Sequence, residues 1–151
     1  NENFVLDLVG FFEDEYKEQV KELEKHSIAH FYGFQSDPRP FYIEADCVVL
    51  PSYHEGMSNV LLEAAATGRP VVTSNIPGCR ESVENGKSGL LVEVKNKEML
   101  YDAMKEMLHC SREEREQMGQ AGREKMEREF RKEVVVEKTV QSLRGDEKRD
   151  F

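Results

Sequence analysis

Short apolar runs alternate with charged, helix-spaced stretches along the first ninety residues. Phe4 to Val9 is an apolar run closed by Gly10 and predicts a buried strand. Residues 13–26 follow as a polar helix with Tyr16, Val20 and Leu23 on one face. Ile28 to Tyr32 predicts a second strand ending at Gly33. A loop through Asp37, Pro38, Arg39 and Pro40 then leads to a helical turn from Phe41 to Ala45. Cys47 to Leu50 is a compact apolar run bounded by Pro51. Residues 57–67 are helical by composition, with Gly68 at the expected stop and Pro70 beyond it. Val71 to Ser74 predicts the next strand. Pro77-Gly78 breaks the chain before a short helix near 79–84, Asn85-Gly86 and Ser88-Gly89 mark turns, and Leu90 to Val92 predicts another strand. From residue 96 onward the pattern is helical only. Met99, Leu100, Ala103, Met104, Met107 and Leu108 form one stripe, expected in the core. Met118, Gly122 and Met126 mark a second helix, and Phe130 with Val134 to Leu143 a third.

Strands that alternate with helices define βαβ units, so the fold class is α/β, a Rossmann-like parallel sheet flanked by helices. The pattern places one domain over residues 1–143 and a tail over 144–151. Sheets of this kind take ligands outside the carboxyl ends of their strands. The loops after Val9, Tyr32, Leu50, Ser74 and Val92 are therefore where chemistry is expected.

Charge and cysteine content narrow the partners. The chain carries 21 basic and 30 acidic side chains for a net charge of −9, and the first fifty residues alone hold −7. An acidic chain without a basic stripe is a poor match for nucleic acid. Cys47, Cys79 and Cys110 lie about thirty residues apart, which is neither a disulfide framework nor a zinc pattern. They read as buried thiols of a reducing, cytoplasmic compartment. No apolar run reaches the ~18 residues of a membrane span, and no signal peptide is visible. The chain begins at Asn1 rather than Met, and the expectation is that it is a piece of a longer protein.

The densest stretch of candidate chemistry runs from Leu50 to Gly68, a strand followed by a polar loop and a helix. Gly56 would permit close backbone approach and positive φ. Ser58 or Asn59 would cap the helix, whose free N–H groups suit a phosphate. Glu55 stands just before that helix, and Glu63 lies roughly 7.5 Å inside it at ~1.5 Å per residue. A nucleotide diphosphate-sugar has the length to span both acids. From spacing alone, Glu63 as an ordinary helix residue and Glu55 as a solvated loop charge remain open. Leu61, Leu62, Ala64, Ala65 and Ala66 surround Glu63, so burying its carboxylate would require a partner.

The string Pro51-Ser52-x-x-Glu55-Gly56, then Glu63-Ala64-x-Ala66-x-Gly68-x-Pro70-Val71-Val72, resembles the central motif of the retaining GT-B glycosyltransferases of family four, in which two glutamates are separated by seven residues. Tyr32-Gly33, Ala45-Asp46, Gly78, Glu81, Asn85-Gly86, Gly89 and Leu90-Leu91-Val92 agree in order, so the likeness covers roughly residues 5–143. The stretch Glu55-Gly56-Met57-Ser58-Asn59-Val60-Leu61-Leu62-Glu63 is similar to enzymes that build bacterial surface polysaccharides and lipid-linked oligosaccharides. The resemblance implies one half of a GT-B fold that binds a nucleotide sugar, a UDP-hexose or UDP-N-acetylhexosamine. It implies Glu55 as the catalytic-site acid on the donor sugar, and the amides of Gly56, Met57, Ser58 and Asn59 facing sugar and diphosphate. Glu63 would hold the ribose, and Gly33, Phe34 and Gln35 would contact the base through the backbone. No metal and no cofactor are implied. The family's Arg and Lys for the diphosphate would precede Asn1, and no basic residue occurs before Lys17. The acceptor, a glycan or lipid-linked glycan, would bind a domain outside this chain, so the piece alone is expected to be inactive. Membrane association would belong to the full-length protein.

His54 reads as a loop histidine and His26 and His30 as surface residues. Glu13, Asp14 and Glu15 are the acids a helix start favours. Arg80 would reach either a diphosphate or Glu81. Two rivals stand beside the transferase: another GT-B enzyme such as a UDP-N-acetylglucosamine epimerase or a phosphorylase, and a non-catalytic nucleotide-sugar-binding module.

Overall fold

The computed structural model describes residues 4–146, and within them the chain divides into two compact units between Glu44 and Ala45. Each has its own parallel sheet, and the strands are parallel and flanked by helices, as the α/β class requires.

In the first unit β1 (Leu6–Val9) pairs in parallel with β2 (Ala29–Gly33), the crossover being a 3-10 turn at Asp14–Tyr16 and helix α1 (Lys17–Lys25). Helix α1 buries Val20, as its spacing requires. Helix α2 (Arg39–Glu44) closes the unit and buries Tyr42. The strands alternate between half-buried and exposed positions, the pattern of a sheet with one face open. Aromatic side chains cluster around them. Phe12 meets Phe31 edge to face at 4.6 Å, Tyr32 meets Phe41 at 4.9 Å, and Phe11 stacks on Phe34 at 5.3 Å.

In the second unit β3 (Val48–Leu50), β4 (Val71–Ser74) and β5 (Gly89–Val92) form a parallel sheet in the order β3-β4-β5. Central β4 is buried at all four positions, as the run Val-Val-Thr-Ser between two neighbours demands. Helix α3 (Asn59–Ala66) joins β3 to β4, and a 3-10 turn at Arg80–Ser82 lies between β4 and β5. Helices α4 (Lys97–His109), α5 (Arg112–Glu129) and α6 (Lys132–Asp146) follow. The core joins Val72 and Val92 to Ala103 and Met107 of α4, with Val49, Leu90, Leu100 and Met118 against it. The expected stripe is only partly interior. Met99 and Leu108, at its edges, are exposed, and the Met99 sulfur instead accepts a hydrogen bond from the Glu93 N–H at 3.3 Å.

Small residues let α5 approach α3. A Cβ on Gly119 would sit 1.9 Å from the Gly68 carbonyl oxygen, so only glycine fits there. Arg115 ties the C-terminal end of α4 to the start of β3, donating to the carbonyls of Met107 and Cys110 and pairing with Asp46 at 3.3 Å. Of the three thiols only Cys79 is fully buried; Cys47 and Cys110 are half-buried. Burial raises all three thiol pKa values, that of Cys47 to about 12. Helix α6 continues through residues 144–146 of the expected tail, and residues 147–151 lie outside the described residues.

Candidate functional site

The loop from Pro51 to Ser58 leaves the carboxyl end of β3 and enters α3. Its base is fixed by β4, because the buried Thr73 hydroxyl donates to the Leu50 carbonyl at 2.8 Å. Glu55 is exposed, and its carboxylate accepts a hydrogen bond from the Ser52 hydroxyl at 2.8 Å. The i,i+3 spacing of Ser and Glu is the sequence signal for this contact. Gly56 and Met57 are exposed, and a Cβ on Gly56 would meet nothing within 4 Å. Gly56 does not use the positive φ it would permit.

The demanding glycine is Gly78, in the loop after β4. It has φ +88°, and a Cβ there would fall 1.6 Å from the Gly56 carbonyl oxygen and 2.8 Å from that of Glu55. The two loops are therefore locked backbone to backbone, with no room for a side chain. Two hydrogen bonds secure the lock. The Ser58 N–H donates to the Gly78 carbonyl at 3.0 Å, and the Gly78 N–H donates to the Glu81 carboxylate at 2.7 Å. Glu81 was legible only as part of a motif; its job depends on the Gly78 backbone, which sequence spacing does not orient.

Ser58 stands at the N-cap of α3, but its side chain makes no cap hydrogen bond. Among the described residues no acceptor meets the N–H groups of Asn59, Val60 or Leu61. The helix thus presents open donors and the positive end of its dipole. Leu61, Ala64 and Ala65 are buried, while Asn59, Val60, Glu63 and Ala66 are exposed. Glu63 is therefore not a buried carboxylate, as its apolar neighbours implied. It lies one turn beyond Asn59 and Val60 on the same open stripe, because side chains three and four apart share a helix face. Glu55 precedes the open amides in the loop, and Glu63 follows them on the helix.

Other charged groups hang from neighbouring loops. Arg80 is exposed and makes no ion pair among the described residues, with Glu81 occupied by Gly78. Lys95, in the loop after β5, places its ammonium 5.7 Å from the centre of the Tyr53 ring. Cys79 lies beneath, its thiol pKa raised by burial and further by the Glu55 and Glu81 carboxylates, against a lowering hydrogen bond with Thr73. His54 is exposed. Among the described residues no group of three or more His, Cys, Asp or Glu side chains could hold a metal ion.

Gly33, Phe34 and Gln35 stand in the first unit, at the carboxyl end of β2. Gly33 has φ +65°, and its carbonyl accepts from the Gly10 N–H at 2.9 Å. Phe34 is exposed and stacked on Phe11, and the Gln35 side-chain amide donates to the Tyr32 carbonyl at 2.7 Å.

Parallel strands, crossover helices and an open helix start at the strands' carboxyl ends define the Rossmann-like class of ligand-binding units. The chain belongs to the glycosyl transferases group 1 family, whose model matches residues 1–125. It is 32% identical over 102 residues to the capsular polysaccharide biosynthesis glycosyltransferase CapM of Staphylococcus aureus, covering 68% of this chain and 27% of that protein. It is 38% identical over 93 residues to a GDP-mannose-dependent phosphatidylinositol monomannoside mannosyltransferase of Mycobacterium tuberculosis, covering 62% of this chain and 24% of the relative. HepE of Anabaena, solved in complex with UDP, superposes with a TM-score of 0.76 over 92% of this chain and 40% of its own, at 22% identity. The fold is thus one half of a GT-B glycosyltransferase, and the chain spans about a quarter of the length of these curated relatives. No helix among the described residues is long and apolar enough to cross a membrane.

Proposed function

We propose that residues 1–143 are the donor-binding half of a retaining glycosyltransferase that uses a UDP-hexose or UDP-N-acetylhexosamine to build a bacterial surface polysaccharide or a lipid-linked glycan. The observation that carries the reading is the open start of α3, with unfilled amides between an exposed Glu55 in the loop before it and an exposed Glu63 on the helix. The amides of Gly56, Met57 and Asn59 and the helix dipole face the sugar and diphosphate, while the Ser58 N–H, also expected there, is taken by the Gly78 carbonyl. Glu55, held by Ser52, accepts hydrogen bonds from the donor sugar's hydroxyls, and Glu63 accepts them from the ribose. Capsule synthesis in the CapM relative supports the polysaccharide class, and the UDP complex of HepE supports UDP over GDP, whereas GDP-mannose is the donor named for the mycobacterial relative. The protein's share of the chemistry is positioning the donor and stabilising negative charge on the leaving diphosphate. Arg80 and Lys95 supply positive charge here, while the acidic first fifty residues supply little. The acceptor binds the other half of the enzyme, which works in the cytoplasm, in part against the membrane. Residues 1–151 alone transfer no sugar.

The test is made in the full-length enzyme with a radiolabelled donor. Glu55→Ala and Glu63→Ala should each lower turnover by about a hundredfold or more. Because both side chains are exposed, unfolding should shift by no more than about 0.5 kcal/mol. Turnover that survives both substitutions overturns the assignment. UDP should compete for the donor site better than GDP.

A further inference from the structure

Glu81 is exposed at its backbone position yet spends its carboxylate on a backbone amide of the loop before it. We propose that Glu81 is a positioning residue for the donor site: it holds the Gly78 peptide so that its carbonyl takes the Ser58 N–H and leaves the next amides open. This rests on the donor-site reading above and extends it to a residue outside the two-glutamate motif.

The chain of contacts is short. The Glu81 carboxylate accepts from the Gly78 N–H at 2.7 Å, a charge-assisted bond of the stronger kind. That bond restrains Gly78 at φ +88°, a conformation its backbone would otherwise leave freely, since glycine has many. So held, the Gly78 carbonyl accepts from the Ser58 N–H at 3.0 Å, and the Gly78 Cα lies against the carbonyls of Glu55 and Gly56. Ser58 is the N-cap, so its amide sets where the helix begins. With the Ser58 N–H engaged, the donors left for an anion are those of Asn59, Val60 and Leu61. Without the carboxylate, Gly78 is free to rotate, the Ser58 N–H loses its acceptor, and the amides no longer converge. Arg80 takes no part in the clamp. It makes no ion pair with Glu81.

The experiment compares Glu81→Ala and Glu81→Gln in the full-length protein, with two readouts. Amide hydrogen exchange of the ligand-free protein follows the segment 55–60, and donor KM is measured with kcat. Glu81→Ala should raise exchange at Ser58 by about tenfold and raise the donor KM about tenfold, with a smaller change in kcat. Glu81→Gln should restore most of both, because its side-chain carbonyl accepts the same Gly78 N–H. Unchanged exchange in Glu81→Ala overturns the clamp. Raised exchange with an unchanged donor KM overturns its role in donor binding. A glutamine variant as impaired as the alanine one shows that charge, not the hydrogen bond, matters, and also overturns it. If the wild-type protein binds no nucleotide sugar, the donor reading itself has failed, while the exchange data still decide the clamp.

Discussion

Ser58 and Ser111 both stand at the N-cap of a helix in extended conformation, with ψ of 105° and 162°, yet only Ser111 caps. The Ser111 hydroxyl accepts from the Glu114 N–H at 3.2 Å, and the Glu114 carboxylate accepts from the Ser111 N–H at 2.7 Å, a complete capping box. At α3 the serine hydroxyl gives nothing to the helix, and the serine N–H turns instead to Gly78. Helix α5 satisfies its own start with the residues of its first turn. Helix α3 has its start arranged from outside, by a loop of a different strand, and its amides stay open. A closed start is worth stability to the fold. An open one forgoes that stability and leaves its donors unfilled by the described residues.

The difference is broken most severely at Gly78. Gly78→Ala puts a methyl group 1.6 Å from the Gly56 carbonyl oxygen and forces a side chain into φ +88°, so the two loops must part. The expected cost is more than about 2 kcal/mol in urea unfolding, from strained backbone and lost packing together. Donor binding by the full-length enzyme should fall below detection in calorimetry. A variant that binds donor as well as wild type would show that the lock between the loops is incidental.

Ser111→Ala tests the closed helix. It removes the acceptor for the Glu114 amide and should cost about 1 kcal/mol of stability. The Glu114 pKa, held low chiefly by the hydrogen bond from the Ser111 backbone, should stay low, because that N–H remains. Donor affinity should not move, because nothing at α5 faces the α3 stripe through this cap.

Much of this was legible in advance, and the exceptions have a common cause. The strands from Val48 to Leu50, Val71 to Ser74 and Gly89 to Val92 announce themselves as apolar runs bounded by glycine or proline, because parallel strands are buried on both faces. Glu55, Ser58 and Glu63, the proposed site residues, come from one contiguous motif, and the structure places Ser58 at the N-cap and Glu63 on the open face of α3. The division into two sheets was not legible, since alternating strands and helices specify parallel pairing but not which strands join. The exposure of Glu63 is not legible in the sequence, because its neighbours along the chain are apolar, while its neighbours on the helix face, Asn59 and Val60, are exposed. The need for glycine at Gly78 is not legible either, because it arises from the carbonyl of Gly56, twenty-two residues earlier. Each miss concerns which element meets which, information that periodicity within one element does not carry.

Ser58→Ala is the smallest expected effect and the sharpest comparison with Ser111→Ala. Ser58 is buried, at 2% exposure, but its hydroxyl is not in the helix's hydrogen-bond network, so truncation removes no cap. Alanine keeps the Cβ packing and the backbone N–H that Gly78 accepts. Unfolding should therefore shift by less than about 0.5 kcal/mol, well below the loss at Ser111. Donor affinity should hardly move, because the Ser58 side chain is buried and the backbone N–H that meets Gly78 is kept. Paired measurements of urea unfolding and donor binding would show stability lost at Ser111 alone and donor affinity kept in both variants. If Ser58→Ala instead costs as much stability as Ser111→Ala, the two helix starts are doing the same structural job, and the openness of α3 is not what separates them.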